Sequence, residues 1–394
     1  MPNEIEGIVA SLRSLERPED VNQAYATVDR WNREKRTGDL LELAAAIEKG
    51  CDVSGDARIP YEAVADHIEE VLALTPGSDH IEGLLTLLAQ DRVRSVQRPR
   101  PREVRVRAFA SRLGHGQSKD ALTAAVTRLG GRKEHTEVLA CWIHEMVLRG
   151  TSLDREAPVL SFHAQLVDEK HPLGGMPLAM LEAESEAPTY MPMYGANAIS
   201  KAVARLESGP QSTRTIPPPG EHVAPRTMRV DDPAFEARLR EAIVPWTTGS
   251  NGKAEAKVFR LEPALAASPG RWLLRALPLD CAVTPEALHA ERTGADAVWG
   301  ALFAAAANGG AYSSGLGGAY GRRAAWTSLG ALIDAPATAT PAEIDARAPS
   351  AQFLVFGAAS SAGGWWHDIA WDIGLLAVRP GGGSVAILAA TDTD

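Results

Sequence analysis

The segment ESGPQSTRTIPPPGEHVAPRTMRVDDP, residues 207–233, separates two differently built halves of the chain. It holds six prolines, three of them consecutive at 217–219, and shows no hydrophobic period. Consecutive prolines favour the extended polyproline II conformation, which spaces neighbouring domains apart. We therefore predict a helical domain over residues 1–206, a proline-rich linker over 207–233 and an α+β domain over 234–394. A proline-rich ligand for another protein is the less favoured interpretation of the same segment.

The composition is that of a folded protein with more than one hydrophobic core. The chain has 394 residues, of which 45% are hydrophobic and 23% are charged, and its formal net charge is −10. A single core seldom grows to this length, so two domains are expected. The negative net charge excludes a nucleic-acid coat protein and a polybasic membrane binder.

The two halves differ in their hydrophobic periodicity. Apolar side chains recur at helical spacing in the first half, within residues 5–15, 40–47, 61–72, 78–88, 118–129 and 135–149. Residues 159–167 fit a strand or a helix. The second half alternates helical segments (294–307 and 320–332) with short apolar segments typical of strands (255–261, 271–279, 352–357, 373–378 and 385–390). A hairpin-like turn at 379–383 joins the last two strands, which predicts a small, mainly antiparallel sheet.

Charge is distributed in bands along the chain. Residues 1–91 carry 8 basic and 19 acidic side chains, whereas residues 92–133 carry 12 basic and 2 acidic ones. The arginines from Arg92 to Arg107 are expected in an extended segment because Pro99 and Pro101 interrupt it. Such a segment can contact a nucleic-acid backbone, but it lacks the interleaved aromatic residues that stack on bases. We favour pairing of these arginines with the acidic residues of 1–91 or with a partner.

The cysteines and the N-terminus predict a cytoplasmic protein. Cys51, Cys141 and Cys281 are too far apart, and odd in number, for a disulfide framework or a paired-cysteine zinc site. The first residues are acidic and lack the basic region of a signal peptide. No stretch of 18 apolar residues exists, so no membrane-spanning segment is expected.

The segment GGWWHDIAWD, residues 363–372, is the first candidate for chemistry. If it is helical, Asp368 and Asp372 lie one turn apart on the same face, and His367 lies beside Trp371. The chain then ends in TDTD, residues 391–394, directly after an apolar strand.

A strand running toward the Trp-His-Asp segment would bring an imidazole and several carboxylates together. We assign His367, Asp368 and Asp372 as candidate catalytic residues. Asp368, Asp372 and Asp392 are the candidate residues to coordinate a hard divalent cation. Trp366 is a candidate contact to a bound ligand. The competing interpretation is a solvated strand end and a capped helix whose tryptophans fill the core.

A glycine-rich loop before a helix, residues 308–321, is the second candidate. Backbone N–H groups at such a position can bind an anion, with Arg322 and Arg323 in the following turn. Tyr312 and Ser314 are the other candidate ligand-binding residues. A helix precedes the loop instead of a strand, so it matches neither a dinucleotide-binding nor a phosphate-binding loop, and a close-packed interhelical turn is the competing interpretation.

Four short motifs occur together in the final third of the chain: Gly318-Ala319-Tyr320-Gly321-Arg322, Trp366-His367, Ala370-Trp371-Asp372-Ile373-Gly374 and Ala389-Ala390-Thr391-Asp392-Thr393-Asp394. With these motifs the chain resembles an actinobacterial family of unknown function. The resemblance lends no fold, activity or catalytic residue, and it directs attention to the same Trp-His-Asp and terminal segments.

The sequence is most consistent with a soluble cytoplasmic interaction protein that docks a protein partner through its helical half and its charge-asymmetric surface. The alternative is a metal-assisted hydrolase or transferase that uses residues 365–372 and the terminal aspartates. Whether the protein is an enzyme stays open, and no cofactor is identified. Nucleic acid binding through Arg92–Arg107 is possible but disfavoured, and no membrane association is expected.

Overall fold

The computed structural model describes residues 2–13, 21–50, 59–89, 102–185, 187, 224–266, 268–283, 288–358, 364–367 and 371–393. The chain divides into two compact units. The first comprises Met1–Met146 with Arg155–Ala164, and the second comprises Val147–Asp154 with Gln165–Asp394. Residues 207–223 of the expected linker lie outside the described residues, and residues 226–230 form a strand of the second unit. The domain boundaries drawn from the sequence therefore stay a prediction.

The N-terminal half is helical, as the periodicity predicts. Its helices are α1 (Pro2–Arg13), α2 (Asn22–Arg33), α3 (Thr37–Gly50), α4 (Ile59–Leu74), α5 (Ser78–Ala89), α6 (Arg102–Gly116), α7 (Lys119–Leu129), α8 (Lys133–Leu148) and α9 (Ala157–Asp168). Residues 159–167, which fitted a strand or a helix, lie in α9. No helix in the described part of the chain is both long and apolar enough to cross a membrane.

Amphipathic packing organises the first unit. Leu40, Leu43 and Ile47 are buried on α3, and Ile68 and Leu72 are buried on α4. α4 contacts α3, α5 and α6. Apolar positions three and four residues apart place these side chains on one side of each helix, where they exclude water together.

The expected extended arginine segment is helical over its described part. Arg102 to Arg107 form the start of α6, because the last proline of the segment, Pro101, precedes the helix and leaves its hydrogen bonds intact. Arg105 is buried and its Nη2 lies 3.3 Å from Oε1 of Glu69 on α4. Residues 92–101 lie outside the described residues.

The second unit contains one six-stranded antiparallel sheet, which confirms the predicted α+β class. Its strands are β1 (Arg226–Val230), β2 (Lys253–Glu262), β3 (Leu288–Thr293), β4 (Gln352–Ala358), β5 (Trp371–Val378) and β6 (Ser384–Asp392), in the order β1-β2-β6-β5-β4-β3. The accompanying helices are α10 (Pro233–Arg240), α11 (Val244–Gly249), α12 (Arg271–Arg275), α13 (Ala295–Asn308), α14 (Gly317–Leu332) and α15 (Pro341–Arg347).

The two faces of this sheet are covered differently. One face, which we call the aromatic face, packs Phe259, Phe356, Ile387 and neighbouring side chains against Trp366 and α12. Side chains alternate between faces along a strand, so the intervening residues of β4, β5 and β6 point to the opposite side. α13 contacts β4 and β5, and α14 contacts β6. We call this second side the helical face.

Two predictions of secondary structure in this half are wrong. Residues 271–279, expected as a strand, begin with the short helix α12, because a helical turn directs the adjacent leucines Leu273 and Leu274 into the same core. The expected helix at 363–372 does not extend to its end, since Trp371 and Asp372 begin β5 and pair with β6. Asp368 lies outside the described residues.

Candidate functional site

The end of β6 brings the two segments of the first candidate site to one edge of the sheet. Trp371 pairs with Asp392, and Asp372 pairs with Thr391. Cross-strand partners share a face and successive residues alternate. Asp372 and Thr391 therefore lie on the aromatic face, whereas Asp392 lies on the helical face.

This register separates the carboxylates that were expected to share a metal. Asp372 and Asp392 point to opposite faces of the sheet, and the remaining candidate ligand, Asp368, is outside the described residues. Within the described ranges, no group of three or more His, Cys, Asp or Glu side chains is arranged to hold a metal ion.

On the aromatic face, Thr391 links the Trp-His-Asp segment to the sheet. Its side chain is fully buried, its hydroxyl donates to Oδ1 of Asp372, and Oγ1 accepts from the backbone N–H of His367 at 3.2 Å. Trp366 is 8% exposed and donates from Nε1 to the carbonyl oxygen of Cys281 at 2.8 Å. Trp366 is therefore a core residue with a satisfied indole N–H, while the His367 side chain is exposed.

Lys253 extends this row across a third strand. It pairs with Thr391 on the other side of β6, so the side chains of Lys253, Thr391 and Asp372 stand side by side on the aromatic face. The ammonium of Lys253 lies 5.2 Å from the ring centroid of Trp365, a cation–π distance. The sequence offered no signal for this residue, because only the strand register brings Lys253 to the Trp-His-Asp segment.

A buried carboxylate lies further along β2 on the same face. Glu255 accepts from the backbone N–H groups of Asp280 at 2.9 Å and Cys281 at 2.8 Å, and forms an ion pair with Lys257. Burial alone would raise the pKa of Glu255, but the hydrogen bonds from Lys257 and Cys281 outweigh it and hold the pKa below its ordinary value. These contacts fix the turn at Cys281 against the sheet.

The two described cysteines are unsuited to nucleophilic catalysis. Cys141 and Cys281 are buried free thiols. Burial, followed by nearby glutamates, raises the pKa of each thiol far above its ordinary value. Since the thiolate is the reactive form, both side chains are inert at neutral pH.

On the helical face, Asp392 anchors the glycine-rich loop between α13 and α14. The side chain is fully buried; its Oδ2 accepts from the N–H of Ala311 at 2.8 Å, and Oδ1 accepts from the N–H of Thr393 at 2.9 Å. A Cβ at Gly310 would lie 2.0 Å from Oδ2 of Asp392, so only glycine permits this close approach.

The neighbouring amides of the loop also have partners within the protein. The N–H of Gly310 donates to Oγ of Ser313 at 2.9 Å, and the N–H of Tyr312 donates to Oγ of Ser250 at 3.0 Å. With Ala311, three successive N–H groups that were expected to receive an anion are bound to side chains of the chain itself. Tyr312 and Ser314 are exposed at this loop, and their predicted role in ligand binding stays a prediction.

Arg322, predicted to bind an anionic ligand, forms a fully buried ion pair with Glu184. Nε lies 2.6 Å from Oε1 and Nη2 lies 2.7 Å from Oε2. Arg322 also donates to the carbonyl oxygens of Pro177 at 2.8 Å and Ala179 at 3.0 Å, and Trp326 donates to Oε1 of Glu184 at 2.6 Å. The guanidinium thus already has its carboxylate, and it fixes residues 177–184 to α14.

Arg323 is in a different environment. Its Nη1 lies 3.4 Å from Oε1 of Glu241, and both side chains are about one-third exposed.

The predicted site residues therefore occupy three places: the aromatic face at Asp372, the loop above Asp392, and α14. Glu184 was missed because its partner is 138 residues away in the sequence.

The first unit carries an acidic surface formed by α4 and by Asp29 of α2, whose neighbours Arg30 and Arg33 on α2 are exposed and basic. Asp29 and Asp66 are exposed, as is Glu70 one turn after Asp66. Nε2 of His67 lies 2.8 Å from Oδ1 of Asp29, and the rings of His67 and Tyr25 are in contact with centroids 4.4 Å apart. Burial, together with the charges of Asp66 and Glu70, raises the pKa of the Tyr25 hydroxyl.

Comparison with known proteins gives a family but no relative of known activity. A family model described as "Family of unknown function (DUF6183)" matches residues 22–394. The match extends well beyond the final third that carried the resemblance in sequence. No curated protein and no solved structure matches the chain.

Proposed function

The chain belongs to the family of unknown function DUF6183, and from that premise we propose that it is a cytoplasmic interaction protein that docks a basic protein partner through its first unit. The observation that carries the proposal is the acidic surface of α2 and α4. The docking segment of the partner is rich in arginine or lysine.

The charge pattern of α4 supports this proposal. Glu62, Asp66 and Glu70 follow one another at intervals of four residues and therefore share one side of the helix. Like charges at this spacing destabilise a helix by about 0.2–0.5 kcal/mol per pair. A basic segment of a partner would therefore meet several carboxylates along one side of α4 and would reduce their mutual repulsion.

The aromatic pair within this surface adds contact area. Tyr25 and His67 are half-buried between the carboxylates of Asp29 and Asp66. An arginine stacks well on such rings while its guanidinium reaches a neighbouring carboxylate. The combination of rings and carboxylates favours an arginine-rich segment over a ligand that carries charge alone.

The basic band of the chain is partly committed to internal contacts, which also supports the proposal. Arg105 pairs with Glu69, and Arg128 pairs with Glu82. These pairs neutralise acidic side chains on α4 and α5 away from the α2–α4 surface. Binding of nucleic acid through Arg92–Arg107 is correspondingly less well supported, since Arg105 is buried.

The alternative, a metal-assisted hydrolase or transferase, draws no support from the described contacts. Asp372 and Asp392 point to opposite faces of the sheet, and Arg322 is engaged by Glu184.

The cytoplasmic location is supported by Cys141 and Cys281, which are free and buried, as thiols of cytosolic proteins are.

Charge reversal tests the proposal. The wild-type protein, Asp66→Lys with Glu70→Lys, and the matched control Glu6→Lys with Glu42→Lys are immobilised and exposed to extract of the source organism. Glu6 and Glu42 are exposed residues of α1 and α3, so the two variants change net charge equally. We expect one partner to be retained by the wild type and the control and lost from the α4 variant. Equal retention by all three proteins, or by none, contradicts the proposal.

Salt provides a second criterion. Retention through exposed carboxylates weakens as ionic strength rises, and at about 1 M salt the screening length falls to roughly 3 Å. A partner that stays bound to the wild type under that condition binds through apolar contacts elsewhere.

A further inference from the structure

A cavity of about 220 Å³ lies in the first unit where α5, α6 and α8 meet. Its floor is apolar: Leu85 and Leu88 come from α5, Val106 from α6 and Val138 from α8, and all four are buried. Each helix turns an apolar side toward the same space, which the described side chains leave unfilled. Residues 90–101, which connect α5 to α6, lie outside the described residues. Apolar cavities of about 150 Å³ are large enough to hold benzene, so this cavity has room for a ring with a short chain.

The rim of the cavity is charged, and its charge is predominantly negative. Among the described residues, Glu103, Glu134 and Glu137 line it together with Lys133 and His135, and Glu137 also accepts from Sγ of Cys141 at 3.6 Å. Glu103 and Glu134 are exposed and lie in the first turns of α6 and α8, where the helix dipole stabilises a negative side chain. The two carboxylates come from different helices, α6 and α8.

We propose that this cavity binds a small organic cation, an ammonium or amidinium group carried on an apolar body the size of a phenyl ring. The body occupies the floor of leucine and valine side chains, and the cation lies between Glu103 and Glu134. A cavity with an apolar floor and a few placed polar groups is the usual form of a small-molecule site. Nothing in this proposal depends on the acidic surface of α2 and α4.

The charge of the rim selects among ligands of one shape. Among the described lining residues, an anion would meet the exposed carboxylates of Glu103 and Glu134 beside Lys133, and a neutral alcohol would gain only the apolar contacts. Hydrogen bonds between ionised groups are roughly twice as strong as neutral ones. We therefore expect the order amine, then alcohol, then carboxylate among isosteric probes.

The test uses 2-phenylethylamine, 2-phenylethanol and phenylacetate with the full-length protein, and calorimetry or ligand-observed NMR measures the dissociation constants. We expect the amine to bind about tenfold more tightly than the alcohol, a difference of about 1.4 kcal/mol, and phenylacetate to bind more weakly than both. Equal affinities for amine and alcohol, a preference for phenylacetate, or no measurable binding of the amine overturns the proposal.

Variants locate the binding. Glu103→Gln with Glu134→Gln should lower the amine affinity to that of the alcohol and leave the alcohol unaffected, whereas Glu6→Gln with Glu42→Gln should change neither. Ala89 lines the cavity and is exposed, so Ala89→Phe should block entry of both ligands without replacing a core residue. Circular dichroism checks that each variant is folded.

The two proposals fail separately. Asp66→Lys with Glu70→Lys should abolish capture of the partner and leave the affinity for 2-phenylethylamine unchanged. Undiminished amine binding in the Ala89→Phe variant, or in the double glutamine variant of the rim, places the amine elsewhere and overturns the cavity proposal alone.

Discussion

Thr391 and Asp392 are consecutive and both fully buried, yet they belong to different parts of the second unit. Thr391 lies on the aromatic face, where its hydroxyl connects Asp372 to the backbone of His367. Asp392 lies on the helical face, where its carboxylate holds the glycine-rich loop through Ala311. A step of one residue along a strand reverses the side chain, and so a compact sequence motif becomes two separate structural contacts.

The difference shows what buried polar groups do on each face. On the helical face they bind backbone amides and carbonyls of distant segments: Asp392 holds the loop, and Arg322 with Glu184 holds residues 177–184. On the aromatic face Thr391 and Asp372 lie at the border of a tryptophan-containing core, while Glu255 is buried and, like Asp392, binds backbone amides of another segment. We therefore expect substitutions on the helical face to destabilise the protein more than substitutions at the sheet edge of the aromatic face.

The largest effect is expected from breaking the buried pair on α14. Glu184→Ala leaves Arg322 buried without its carboxylate, which typically costs about 3–5 kcal/mol. Glu241→Ala is the matched control, because its partner Arg323 is on the same helix and the pair is about one-third exposed; such pairs contribute roughly 0–1 kcal/mol. The free energy of unfolding in urea measures both. Equal losses in the two variants would contradict the structural role of Glu184.

The next effect tests the contact between Asp392 and the loop. Gly310→Ala places a methyl group within 2.0 Å of the Asp392 carboxylate, and relief of such a clash typically costs about 1–3 kcal/mol. Gly383→Ala is the control, since a Cβ there has no heavy atom within 4 Å. In the Asp392→Ala background the added methyl group should cost less, because the opposing oxygen is gone. Additive losses would show that the clash lies elsewhere.

The aromatic face provides a smaller, third effect. Thr391→Val keeps the shape of the side chain but removes the hydroxyl that connects Asp372 and the N–H of His367, at an expected cost of about 1–2 kcal/mol. Thr391→Ser retains the hydroxyl and should lose mainly the packing of one methyl group. If valine is as stable as wild type, the hydrogen bonds of Thr391 do not contribute to folding.

Much of the architecture could be predicted from the sequence, because periodicity is a local property. The helices of the first half and the antiparallel hairpin of β5 and β6 both follow from it. The sequence posed the meeting of the terminal Thr-Asp and the Trp-His-Asp segment only as a condition, and the strand pairing of Trp371 with Asp392 meets it. A helix over residues 371–372 would place Asp372 beside Asp368. In the strand that forms instead, successive side chains point to opposite faces of the sheet, and Asp372 lies across from Thr391.

The partners of the candidate site residues could not be predicted, because they depend on tertiary contacts. An arginine after a glycine-rich loop suggests an anion site, and only the fold brings Glu184 to Arg322. Similarly, the loop amides appear available in sequence until Ser250, Ser313 and Asp392 are placed around them. Charge counts indicated internal pairing, which the contact of Arg105 with Glu69 confirms for one described arginine of the predicted extended segment.

The smallest expected effect is the pH dependence that Glu255 contributes on the aromatic face. Burial alone would raise the pKa of Glu255 in the folded protein. The hydrogen bonds from Lys257 and Cys281 outweigh burial, so the pKa of Glu255 is lowered overall. Because the unfolded chain then binds a proton more readily, this contribution is present above the unfolded pKa and is lost as pH falls through the folded pKa. Unfolding free energies measured from pH 7 downward should decline less steeply in Glu255→Gln than in wild type. An identical slope in the two proteins would mean that the Glu255 carboxylate has the same proton affinity folded and unfolded, and that its contacts with Asp280 and Cys281 hold the turn equally well when it is protonated.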